Sequence, residues 1–142
     1  PVVADLMVAM SGTDADFVVK LIDVYPDNFE YETNKKDYLM SGYQQLVRGE
    51  IMRGKYRNSF EKPEAFEPNK PTAVKFTLPD IAHTFKKGHR MMIQIQSSWF
   101  PLADRNPQQF MNIYEAKDSD FKKATIRIYH DASVIQLPVL KN

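Results

Sequence analysis

What restricts the fold of this chain most is its punctuation. Nine prolines and five glycines cut 142 residues into short segments, and most of those segments alternate apolar and polar residues. Alternation with period two belongs to strands, whose successive side chains point to opposite faces. Thr72–Leu78 sets Val74, Phe76 and Leu78 against Ala73, Lys75 and Thr77. His89–Ser97 sets Met91, Ile93 and Ile95 against Arg90, Met92, Gln94 and Gln96. Thr125–His130 repeats the pattern with Ile126 and Ile128, and Ser133–Val139 with Ile135, Leu137 and Val139. Pro138 has no N–H to give a ladder, so the last strand is expected at an edge. Val2–Met10 and Phe17–Tyr25 are apolar on both faces, as strands inside a covered sheet are.

Gln44–Arg57 is interrupted by Gly49 and Gly54, which predicts a bent or bulged strand pair. One short helical turn is expected over 79–87. Pro79-Asp80 would open it, Lys86 and Lys87 suit its end, and Gly88 would stop it in the left-handed conformation. The loop Glu61–Pro71, with three prolines, suits a long connection between sheets. Seven or eight strands in one domain predict an all-β fold, an antiparallel two-sheet sandwich of jelly-roll or immunoglobulin-like type.

Composition narrows the function. Nineteen Lys+Arg against eighteen Asp+Glu leave a net charge of +1, so neither nucleic acid nor an anionic membrane is an expected partner. The chain has no cysteine, which excludes disulfides, thiolate metal sites and cysteine nucleophiles. No apolar run approaches the ~20 residues of a membrane helix, and no secretory signal pattern is present. Compartment stays open.

The residues that could carry chemistry are few. No serine sits in a Gly-x-Ser-x-Gly elbow. Ser97-Ser98, His89 and Asp104 make a triad only on paper, and serines closing a strand end are the simpler reading. His83, His89 and His130 lack metal-ligand spacing, so no cofactor or metal is expected. Asp14, Asp16, Asp23 and Asp27 invite calcium, but the run from Thr13 lacks an EF-hand's glycine and distal glutamate. Gly12 and Asp14 read better as turn residues. Asp23, ending an apolar strand, must find a donor or face solvent, and Lys20 or an arginine could serve. Trp99-Phe100-Pro101 is the best candidate for an exposed sugar-binding platform, set against aromatics that close the sandwich or meet another domain.

The run Gly12–Asp27, through Asp16-Phe17-Val18-Val19-Lys20-Leu21-Ile22-Asp23-Val24-Tyr25-Pro26, resembles the C-terminal domain of the X-Pro dipeptidyl-peptidase and cocaine-esterase family of serine α/β hydrolases. Gly49–Arg57 with its Tyr56-Arg57 agrees with that family. So do Gly88-His89-Arg90, Ser97-Ser98-Trp99-Phe100-Pro101, Asp104-Arg105-Asn106-Pro107 and His130–Val139, in the same order. The resemblance covers nearly the whole chain. It implies a jelly-roll sandwich of galactose-binding-like type, non-catalytic, in an enzyme cleaving ester, amide or Xaa-Pro peptide bonds. The family's Ser-Asp-His triad lies on the α/β domain, and no triad position maps onto this chain. The implied partner is that domain of the same protein, on which the sandwich packs while helping to wall the active-site cleft. Asp23, Tyr25, Trp99 and Phe100 are the expected surfaces toward it. The family's domain begins some tens of residues earlier than Pro1, so its first strands are expected to be missing. Exposed strand edges would then favour a homodimer.

Structural roles are expected for the remaining marked residues. Gly88 closes the helical turn, Arg57 and Arg90 anchor carboxylates such as Asp23 or Asp104, and Asp104–Pro107 forms a capped turn. The alternative function is a free-standing carbohydrate-binding module built on Trp99. A small enzyme using Ser97 or Ser98 with His89 is a third.

Overall fold

A computed structural model describes residues 1–30 and 39–140. Seven strands run in order: β1 (Val2–Met10), β2 (Asp16–Val24), β3 (Gln44–Arg53), β4 (Thr72–Leu78), β5 (Arg90–Gln96), β6 (Ile126–Ile128) and β7 (Val134–Gln136). They form two antiparallel sheets. One holds β4, β1, β6 and β7, with β1 central; the other has the order β3-β2-β5. The two strands that are apolar on both faces are thus the two central ones.

The sheets pack on each other through alternate residues. Val2, Ala4, Leu6, Val8 and Met10 of β1, with Val74, Phe76 and Leu78 of β4, meet Phe17, Val19 and Leu21 of β2 in one core. Full burial of a side chain such as Phe17 or Leu6 stabilises by about 2–3 kcal/mol each. The connection after β3 crosses from one sheet to the other, as its prolines suggest, and drops Phe66 into this core. Phe66 N–H donates to Thr13 O at 2.8 Å, pinning the crossing to the β1–β2 turn.

Three segments differ from expectation. Gln44–Arg57 is not a strand pair: β3 is a single strand whose register to β2 slips between Leu21 and Ile22, and it ends in a 3-10 turn at Gly54–Tyr56. Segment 79–86 has no regular structure, without the expected helical turn. Ile81 and Phe85 pack against the core from it. Gly88 does adopt a left-handed φ of +89°, but in a β-turn in which His89 N–H donates to Lys86 O. Among the described residues helical geometry is confined to short 3-10 turns elsewhere, at Gly54–Tyr56, Ile113–Glu115, Asp118–Asp120 and His130–Ala132.

The last two strands lie end to end along one side of β1. β6 pairs with Val8–Met10 and β7 with Val3–Asp5, and the His130–Ala132 turn bulges out between them. Ser133 Oγ fills the break by accepting from Met7 N–H at 3.0 Å, while Tyr129 N–H donates to Met7 O at 2.9 Å. Residue 7 thus keeps both backbone groups paired. As Pro138 requires, this interrupted strand lies at a sheet edge.

Candidate functional site

Two buried polar clusters sit at opposite ends of β2. At its start, Asp14 and Asp16 are almost completely inaccessible to solvent. Asp14 Oδ1 accepts from the N–H groups of Ala15 and Lys55, each at 2.9 Å, and Asp14 Oδ2 accepts from Asn106 Nδ2 at 3.1 Å. Asp16 takes a two-pronged contact from Arg53, Nε to Oδ1 at 3.1 Å and Nη2 to Oδ2 at 3.2 Å. Asn106 Nδ2 also donates to Asp16 Oδ1 at 2.9 Å, so one amide ties both carboxylates to the 104–111 loop. Lys55 Nζ reaches the same loop at Met111 O, and Arg53 reaches Asp104 O.

Burial raises the Asp14 carboxyl above its ordinary 3.8, and the nearby charge of Asp16 adds to this; the bonds from Asn106, Lys55 and Ala15 oppose it. Burial alone would lower the Arg53 guanidinium, but its bond to Asp16 and the charges of Asp16, Asp14 and Asp104 carry it upward. The cluster is a latch that binds β2, β3 and the 104–111 loop. Asp14 is therefore a buried anchor and not an open turn residue. Gly12 serves close approach: an added Cβ would collide with Gln108 O.

At the other end of β2, Asp23 is buried and its two oxygens take two histidines. His89 Nδ1 stands 2.8 Å from Oδ1 and His83 Nε2 2.9 Å from Oδ2. Tyr25 stacks on His89 with ring centres 4.4 Å apart, and its hydroxyl donates to Gln45 Oε1. The donors that Asp23 needed are thus imidazoles and not Lys20 or an arginine. His83 lies in the irregular arm at 79–87 and His89 just past the turn at Gly88, and both reach Asp23. Asp23 presents no free carboxylate to an outside partner, whereas Tyr25 is half-buried above the clamp.

His89 and Asp23 make an imidazole–carboxylate pair, and among the described residues no serine or threonine hydroxyl is hydrogen-bonded to His89. His89 precedes β5 and Ser97 follows it, which places them about 26 Å apart along an extended strand. The His89 side chain is 4% exposed. The paper triad of Ser97 or Ser98 with His89 and Asp104 is therefore not assembled. Among the described residues no group of three or more His, Asp or Glu is disposed to hold a metal ion. The acidic set divides in space, Asp14 and Asp16 at one end of β2 and Asp23 at the other.

Trp99 is half-buried. Its ring lies on the outer face of the second sheet over Gly49, where an added Cβ would stand 2.7 Å from Cη2, and Lys20 Nζ sits 4.6 Å from the ring centre. Phe100, the next residue, points away and is 65% exposed, followed by a cis bond to Pro101 and by Leu102 at 72%. Arg57 does meet a carboxylate, that of Glu64 at 3.7 Å and not Asp23 or Asp104; it also donates to Gly54 O, Glu64 O and Ala65 O and lies over the Phe66 ring at 4.0 Å. Arg90 is exposed and makes no ion pair among the described residues. Asp104 contributes a backbone carbonyl; the side chain that organises its turn is Asn106, whose Oδ1 accepts from Gln108 N–H at 2.8 Å.

The sandwich is open at both sides. A 590 Å³ cleft lies between β3 and β4 beneath Tyr56 and Phe60. An apolar groove between β5 and the β6–β7 line comprises volumes of 390 and 150 Å³ that share Ile95 and Ile128.

Two antiparallel sheets face to face, with loops locked by buried charges, define an all-β sandwich domain. Residues 1–134 match the model of the X-Pro dipeptidyl-peptidase C-terminal non-catalytic domain, and the chain belongs to that family. It is 32% identical over 141 residues to cocaine esterase of Rhodococcus sp. (strain MB1 Bresler), covering 97% of this chain and 22% of that protein. It superposes on a solved α-amino acid ester hydrolase with a TM-score of 0.89 at 46% identity, covering 98% of this chain and 22% of the other. An aminopeptidase from a marine sediment Thaumarchaeota archaeon gives 0.84 at 44% identity, covering 94% and 22%. The chain therefore spans about a fifth of the length of each of these relatives.

Proposed function

We propose that the chain is the C-terminal domain of a longer serine hydrolase acting on ester, amide or Xaa-Pro peptide bonds. In that enzyme it packs on the α/β-hydrolase domain and helps shape the active-site cleft. The observation that carries this reading is the family match along residues 1–134, combined with relatives several times as long. An esterase and an aminopeptidase among them support a hydrolase that attacks an acyl carbon, with the serine, histidine and oxyanion donors residing outside this chain. The exposed Phe100 and Leu102, held beside the seated Trp99, are the surface best suited to an interdomain contact.

Hydrogen exchange compared between this chain and the longer hydrolase tests it. Amides of residues 97–103 should exchange more slowly in the longer chain, and equal rates would contradict the docking.

A further inference from the structure

We propose that the cleft between β3 and β4 binds a short neutral saccharide. Its volume of 590 Å³ lies in the range of about 300–1,000 Å³ that small-molecule sites occupy. Tyr56 and Phe60 line it with ring centres 6.2 Å apart and planes inclined by 32°. Phe60 is 78% exposed, so its ring is offered to whatever enters. The loop that carries both rings is held in place by its own bonds. Ser59 Oγ accepts from the N–H groups of Glu61 and Lys62, and Arg57 ties the loop to Gly54 O, Glu64 O and Ala65 O. A ligand that stacks there therefore has little left to order.

The polar groups of the cleft select the class of ligand. Its two cations are already paired, Arg57 with Glu64 at 3.7 Å and Lys75 with Asp5 at 3.2 Å. An anion would have to displace those carboxylates and would meet Glu50 as well. An organic cation would enter beside Arg57 and Lys75. The capacity that remains is in oxygens. Glu50 spends Oε1 on Ile51 N–H at 2.8 Å and keeps Oε2 free; Asn58 spends Nδ2 on Glu64 and keeps Oδ1. The Thr77 hydroxyl makes no hydrogen bond among the described residues. A sugar supplies hydroxyl donors to these oxygens and an apolar C–H face to the two rings. A purely apolar molecule would cover the same oxygens and leave them unpaired, at a cost. The site is separate from the Trp99 segment, whose ring lies on the outer face of the second sheet over Gly49.

The inference goes beyond the reading of the chain as a hydrolase domain and does not depend on it. Its test is an amide NMR titration of the 142-residue chain with maltotriose, cellotriose and lactose, beside inorganic phosphate and tetramethylammonium. At least one sugar should give saturable shifts at residues 50–60 and 75–77, with half-saturation on the order of 1 mM. Phe60→Ala, which removes an exposed ring and spares the core, should weaken that sugar about fivefold. Glu50→Gln should weaken it about threefold by exchanging a charged acceptor for a neutral one. Phe100→Ala should leave it unchanged. Absence of saturable shifts with all three sugars overturns the proposal, and so does a sugar whose affinity Phe60→Ala leaves intact. Shifts confined to residues 97–101 would put the sugar on Trp99 and overturn it too. A response of residues 50–60 and 75–77 to phosphate or tetramethylammonium but to no sugar would assign the cleft to a charged ligand, which also overturns it.

Discussion

At Asp14 the chain buries a carboxylate and gives it three donors, two of them backbone N–H groups that have no other acceptor there. Asp14→Ala orphans those donors in a site closed to water, and should cost about 2–4 kcal/mol in a urea melt. The pH dependence of that cost has a definite sign. Folded Asp14 holds its proton more tightly than the unfolded chain, whose value is near 3.8. Between those two values the folded state binds more protons, so this group favours folding as pH falls through the interval and opposes it as pH rises. The stability gap between the parent chain and Asp14→Ala should therefore widen from neutral toward acid pH; a gap that narrows would contradict the raised carboxyl. Gly54 is constrained by approach instead of charge. An added Cβ would stand 2.6 Å from Ala15 O and 2.6 Å from Phe66 Cε2, so Gly54→Ala should destabilise by about 1–3 kcal/mol in the same assay.

Two elements depend on a single side chain each. The arm at 79–87 forms no strand ladder, and Asp23 clamps it through His83 and His89. Asp23→Ala should speed hydrogen exchange across residues 81–89 while leaving β1 and β4 protected; uniform acceleration would mean a global loss instead. The break between β6 and β7 depends on Ser133 Oγ, and Ser133→Ala should cost about 1 kcal/mol by removing the acceptor of Met7 N–H. These elements also mark where the sequence was legible. Period two revealed the strands, and the two-faced apolar pattern marked β1 and β2 as central. In the arm at 79–87 the proline, lysine and glycine cues fit a helical turn locally, but its Ile81 and Phe85 pack against a core built from strands distant in sequence, which local cues do not report. The polar clusters were half legible. Asp23 declared its need for a donor, but partners sixty residues away, such as His83, leave no mark in local spacing. Asn106 and Lys55 were missed for the same reason.

The whole molecule is a sandwich with a balanced surface and buried charges committed to its own loops. Nearly every residue type that could suggest catalysis is occupied in holding the structure together. His89 holds Asp23, Arg57 holds three carbonyls, and Asp14 and Asp16 hold the 104–111 loop. Proline and glycine set the strand lengths. The central claim is that this chain performs no hydrolysis itself. The most direct measurement is turnover of an activated ester by the purified 142-residue chain, run beside its His89→Ala variant. Both should match the slow background of ordinary surface groups and show no saturation. Saturable hydrolysis by the parent chain, lost in His89→Ala while the fold persists, would contradict that claim.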